Sequence, residues 1–135
     1  WQKNVPVDRW QICEFMEPCL VNIEVGVSPC ENGGSLGSHD AGVRSFVIDS
    51  MTPETETSCH YFWGMARNFR IEDQGLTDRI KNGQNQIFHE DIDVLENQQK
   101  SIAENPDMPM RVLSIDSGGA HARRIIEKLM EASNE

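Results

Sequence analysis

The run Phe88-His89-Glu90-Asp91-Ile92-Asp93-Val94-Leu95-Glu96 sets four carboxylates and one imidazole within nine positions. Those side chains bind metals or move protons, so the first matter is which of them a fold would turn inward. The run sits inside a helical pattern, and on a helix each residue advances by about 100°. Counted from Asp91, Ile80, Ile87, Leu95 and Ile102 fall within about 40°, and Leu76, Phe88 and Val94 within about 60°. Asp91 therefore lies at the middle of an apolar stripe, while His89, Asp93 and Glu96 point roughly the opposite way and Glu90 sits at the edge. A carboxylate at the centre of a buried stripe must be paired, protonated or metal-bound, because an isolated buried charge costs too much. A bond from a neighbouring Arg or a strand amide would meet that need as well as a metal would. Joint ligation by His89 and Asp91 is disfavoured, since residues two apart on a helix face different sides.

Other candidates are weaker. Ser58, Cys59 and His60 are adjacent in a strand-like run, where neighbours point to opposite faces and cannot act as nucleophile and base. His60, flanked by aromatic residues, suits a hydrogen-bonded core or pocket position, and His39 and His121 carry no partner signal. Gly33-Gly34-Ser35-Leu36-Gly37 and Ser117-Gly118-Gly119 lack the strand-to-helix context of a phosphate loop. Arg67-Asn68-Phe69-Arg70 could hold a substrate carboxylate, but reads more simply as a solvated strand end. Cys13, Cys19, Cys30 and Cys59 contain no C-x-x-C or C-x-H pair, which argues against a closed zinc or complete iron–sulfur site and suits reduced cytoplasmic thiols.

The elements that must position these residues come in two halves. Arg9–Met16 and Leu20–Val27 alternate apolar and polar residues around a Glu17-Pro18 break, predicting two tightly joined antiparallel strands. Ser28 to Gly42 predicts a loop of about 15 residues, expected to be mobile. Val43–Met51 and Thr57–Met65 flank a Thr-Pro-Glu-Thr turn and predict two more strands with one buried face. From about Asp73 to Glu104 the period turns helical, ended by Asn105-Pro106. Met110–Ile115 predicts a short strand or extended segment, and Asp116-Ser117 a cap for a last helix from Ala120 to about Glu131. Strands followed by helices predict an α+β fold, an antiparallel sheet with helices segregated against one face.

Acidic residues outnumber basic ones by 22 to 12, and the net charge of -10 makes nucleic acid and anionic membranes poor partners. No apolar run reaches the roughly 18 to 20 residues of a membrane helix. The chain of 135 residues is a one-domain length, and it opens on Trp1 with nothing resembling a start or a targeting peptide, so it reads as a segment of something longer.

Four blocks then resemble a known family in order and spacing: "DRW" at Asp8 to Trp10, "TPETETSCHYFWGMARNF" from Thr52 to Phe69, "FHEDIDVLENQQ" from Phe88 to Gln99, and the closing "SGGAHARRIIEKLM". Together they resemble the C-terminal part of the catalytic domain of Rieske non-heme iron oxygenases, of the vanillate O-demethylase and dicamba-demethylase type. The resemblance implies a helix-grip fold of the START/Bet v 1 kind, an antiparallel sheet wrapping a long helix, incomplete over residues 1–135. It implies a mononuclear Fe(II) held by two histidines and one aspartate, with the aspartate matching Asp91. It places Asp49, Met51, Gln84 and Ile87 along an aromatic substrate cavity, and Asp49 would repel a substrate carboxylate.

The same resemblance implies that the [2Fe-2S] Rieske domain and both iron-binding histidines lie ahead of Trp1. The complete protein would be a cytoplasmic homotrimer that takes electrons from a reductase or ferredoxin and uses O2 to hydroxylate a methoxy carbon, releasing formaldehyde and a phenol. The segment alone is expected to be inactive. The competing reading is a helix-grip module that holds a hydrophobic or aromatic ligand without redox chemistry.

Overall fold

The computed structural model describes residues 4–109 and 111–133. The chain divides into two units, one holding the residues up to Phe69 together with those from His121 onward, the other Arg70–Ala120. The first unit carries a four-stranded antiparallel meander: β1 (Val7–Met16), β2 (Leu20–Pro29), β3 (Val43–Pro53) and β4 (Cys59–Arg67), in that spatial order. The strands follow the alternation seen in the sequence because each has one face to bury. Met16 pairs with Leu20 across the Glu17-Pro18 turn, whose peptide is cis. Pro53 pairs with Cys59, and the tip is closed by the Glu54 and Thr55 N–H groups donating to the Ser58 carbonyl at 3.0 and 3.2 Å.

Register sorts the side chains onto two faces, because directly opposed residues share a face. Trp10, Gly26 and Arg44 form one row, followed by Ile12, Glu24, Phe46 and Ala66. On the other face lie Val21, Asp49 and Trp63, next to Ile23, Val47 and Met65, with Met51 opposite Tyr61. Trp10 and Val47, one on each face, are buried apolar side chains of the sheet. Trp10 covers Gly26, where a Cβ would fall 2.0 Å from the indole, so only glycine admits the ring.

The stretch from Ser28 to Gly42, expected as a mobile loop, is instead wound into three short 3-10 turns, Cys30–Asn32, Gly34–Leu36 and His39–Ala41. Gly33 and Gly34 take φ of 87° and 56°, which lets the chain reverse without a Cβ clash. The Cys30 N–H donates to the Pro6 carbonyl at 3.0 Å, and the Asp8 carboxylate accepts both the Ser35 N–H at 3.0 Å and the Ser35 hydroxyl. His39 stacks on Trp10 with ring centroids 4.1 Å apart. Single side-chain anchors of this kind leave no periodicity to read.

In the second unit α1 (Gln74–Glu104) is a 31-residue helix, about 46 Å long at about 1.5 Å per residue. Asp73 caps it, its carboxylate accepting the Leu76 N–H at 2.8 Å. Asn105 closes the far end, its N–H donating to the Ser101 and Ile102 carbonyls at 3.1 and 3.3 Å, and Pro106 follows. Residues 111–113 adopt neither strand nor helix and 114–116 form a 3-10 turn, so the short strand option does not occur there; Met110 lies outside the described residues. The Asp116 carboxylate accepts the Leu113 N–H at 2.8 Å, securing that turn, and α2 (Ser117–Ser133) begins at once, three residues earlier than predicted.

Candidate functional site

Asp91 lies near the middle of α1, more than three turns from each end at about 3.6 residues per turn. The burial expected for its stripe is not found in this chain: no residue of α1 is buried, Asp91 is exposed, and Ile87, Leu95 and Ile102 remain 51, 61 and 42 % exposed. A helix with an apolar stripe this open has the pattern of a packed element. His89 is turned away as counted, its Nδ1 lying 2.7 Å from the Asn85 carbonyl one turn back. Gln86 donates to Glu90 at 3.3 Å. Neither neighbour reaches Asp91.

Among the described residues no group of three His, Cys, Asp or Glu side chains could hold a metal ion. A carboxylate oxygen is a suitable donor for non-heme iron, but a facial triad needs two imidazoles as well. Asp91 thus fits as one ligand of an iron, and the described residues do not complete the set.

The sheet holds the second group of candidates. Asp49 is 7 % exposed, on the face that also carries Val21, Val47, Met51 and Trp63. The Tyr61 hydroxyl donates to Asp49 Oδ1 at 2.7 Å, reaching diagonally across the β3–β4 ladder. Met51 is half-buried two residues along. The structure thus brings Asp49, Met51 and Tyr61 together on one face of the first unit. Gln84, half-buried, and Ile87, half-exposed, stand within about 40° of Asp91 on α1, in the second unit.

The remaining histidines and arginines resolve simply. His60 is exposed at the hairpin end, not in a core, with Nε2 3.6 Å from Glu54, and Ser58 donates to that same Glu54 at 2.9 Å rather than to an imidazole. Asn68 pins the strand ends, accepting the Arg44 N–H at 2.9 Å and donating to the Gly42 carbonyl at 3.3 Å. Arg67 donates to the Phe69 carbonyl at 2.9 Å, and Arg70 pairs with Asp73.

Sequence reasoning missed Tyr61 as the partner of Asp49, although counting both strands back from the Thr-Pro-Glu-Thr turn would have set it on that face. It also missed a polar cluster on the opposite face. There Glu24 accepts from the Trp10 indole at 3.1 Å, meets His39 Nδ1 at 2.8 Å and lies 3.8 Å from Arg44, which also pairs with Asp40 at 2.5 Å. No sequence signal links His39 to Glu24. The Asp8 carboxyl is held below its ordinary range, chiefly by the Ser35 hydroxyl and then by the Ser35 N–H.

The family model of the vanillate O-demethylase oxygenase C-terminal domain matches residues 1–132. The chain belongs to that family. It is 53 % identical over 129 residues to the vanillate O-demethylase oxygenase subunit of Pseudomonas sp. (strain ATCC 19151), covering 96 % of this chain and 39 % of that protein. The dicamba O-demethylase oxygenase component of Stenotrophomonas maltophilia is 31 % identical over 130 residues, 93 % of this chain and 37 % of the relative. The crystal structure of apo dicamba monooxygenase matches with a TM-score of 0.86 at 29 % identity, over 99 % of this chain and 42 % of that one. This oxygenase C-terminal domain therefore spans about two-fifths of the length of the proteins it matches. The resemblance to Rieske oxygenases of the vanillate and dicamba demethylase type holds, as does the α+β class with its antiparallel sheet and long helix.

Proposed function

We propose that residues 1–135 are the C-terminal portion of the catalytic domain of a Rieske-type non-heme iron oxygenase that demethylates an aromatic ether. The match of the family over residues 1–132 carries this reading. The names of relatives support its parts: two are vanillate O-demethylase oxygenase subunits, and another, 35 % identical, is the iron-sulfur subunit of a toluene-4-sulfonate monooxygenase system. "Subunit" and "system" fit an enzyme that draws electrons from a separate reductase or ferredoxin.

In this reading Asp91 is the carboxylate ligand of a mononuclear Fe(II), which would supply oxygen activation, while two histidines and the [2Fe-2S] domain come from the rest of the protein. Asp49, Met51, Gln84 and Ile87 line the substrate site, and the segment alone neither holds iron tightly nor turns over substrate. A cytoplasmic homotrimer completes the reading on family resemblance alone.

The test is Asp91→Ala in the full-length protein, read as iron content, activity and circular dichroism. Loss of iron and activity with the fold retained is expected; a protein that keeps its iron and its rate removes Asp91 from the centre. The competing reading is a ligand-binding module without redox chemistry, which rests on the same sheet and helix. A full-length protein that is metal-free as purified and takes up no iron would establish that reading instead.

A further inference from the structure

Resting on the oxygenase reading, we infer that Tyr61 and Asp49 form a proton-coupled redox site: a strong one-electron oxidant derived from O2 takes an electron from the Tyr61 ring while the phenolic proton passes to Asp49. The hydrogen bond this needs is already made, since the Tyr61 hydroxyl donates to Asp49 Oδ1 at 2.7 Å. Asp49 is 7 % exposed, and among the described residues no Lys, Arg or His forms an ion pair with it. Its lone pairs are not committed to a cation and are open to a proton.

Charge sets the course of the step. A phenol that loses an electron alone becomes a radical cation, and a new charge beside a buried group is costly. Passing the proton to Asp49 in the same event breaks the O–H bond, forms a carboxylic acid and leaves a neutral tyrosyl radical. The ionised pair thus goes from one negative charge to none, and the oxidant is reduced by one electron. Reversal takes one electron from a donor and returns the proton from Asp49, so no proton is exchanged with water in either direction.

Trp10 is the nearest parallel, its indole donating to Glu24 at 3.1 Å, but that carboxylate also meets His39 and Arg44 and is already engaged. Around Tyr61 the β3–β4 ladder sets Met51 directly opposite and Trp63 opposite Asp49. Two more oxidisable side chains therefore start within about 7 Å of Tyr61 on the same face, close enough to exchange an electron with it. In an oxygenase a stray oxidant arises when O2 is activated with no substrate in place. Tyr61 then supplies an electron that the proposed reductase or ferredoxin replaces.

The test is flash oxidation of the full-length protein by a photogenerated ruthenium(III) polypyridyl complex, followed by the absorption and electron paramagnetic resonance of the tyrosyl radical. Tyr61 is the single tyrosine of these 135 residues, so the signal lost in Tyr61→Phe is its own. In the wild type the rate of radical formation should not change with the concentration of buffer base, because the proton acceptor is internal. Asp49→Asn should slow it about a hundredfold, the scale of a positioned base, and make it follow the buffer. An unchanged radical yield in Tyr61→Phe, or a wild-type rate that rises with buffer base, overturns the inference whether or not Asp49→Asn folds. Reduced and aerated without substrate, Tyr61→Phe should lose activity sooner than the wild type, and equal loss overturns the protective role. The flash measurements need no iron, so they are independent of the Asp91→Ala result that decides the oxygenase reading.

Discussion

Trp10 lies across Gly26 on the neighbouring strand so closely that a methyl group at position 26 would sit 2.0 Å from the indole ring. The two residues are directly opposed in the β1–β2 ladder, and the same indole donates to Glu24 at 3.1 Å and stacks on His39. One glycine thus permits the contact that ties the first strand to the 28–42 turns.

Gly26→Ala should accordingly destabilise the sheet by about 1 to 3 kcal/mol, the usual cost of overpacking, more than at an exposed strand glycine such as Gly64, where a Cβ meets nothing within 4 Å. Urea denaturation of the two variants makes the comparison. Equal midpoints would mean that Trp10 moves aside freely.

His39→Ala should loosen the turns without unfolding the sheet. It removes the ring stacked on Trp10 and the contacts to Glu24 and to the Ser35 carbonyl at 3.1 Å. Amide exchange should quicken in residues 30–42 and stay slow in β2 and β3; uniform quickening would show that the cluster holds the whole sheet.

Asp8 makes the same turns sensitive to acid. Its folded carboxyl is held below the ordinary carboxylate range, first by the Ser35 hydroxyl and then by the Ser35 N–H. A depressed carboxyl favours the folded state above the unfolded pKa, and this contribution fades as pH falls through the folded value. Stability should therefore fall with acid below about pH 4, less steeply in Asp8→Asn than in the wild type. Identical acid limbs for the two proteins would count against the Asp8 anchor.

Asp73 acts likewise at the head of α1, its carboxyl lowered chiefly by the Leu76 N–H and then by Arg70 and Arg79. Replacing it with Ala should speed exchange of the Leu76 amide and fray the first turn, with no change in the middle of the helix. The wild type should show the same fraying as pH drops through the folded carboxyl value.

Asp91→Ala, measured on this chain by itself, should change stability by no more than about 0.5 kcal/mol, because the side chain is exposed and accepts no hydrogen bond from a described residue. A loss of several kcal/mol would make Asp91 a structural residue and weaken its proposed place at iron.

The sequence by itself determined the elements. Alternation around Glu17-Pro18 and the Thr-Pro-Glu-Thr turn set four strands, and apolar spacing between Asp73 and Pro106 set the long helix with its cap and stop, because periodicity and local breakers act on neighbouring residues. It also placed Asp91 on the apolar side of that helix and carried the family blocks. Tertiary structure alone decided what depends on residues distant along the chain. The partnership of Asp49 with Tyr61 needed the β3–β4 register, and the order of the 28–42 turns needed Asp8, Trp10 and Glu24 to be brought to Ser35 and His39. The exposure of α1 was equally illegible: an apolar stripe states that a helix can be covered, whereas covering it requires surfaces that no helical period encodes.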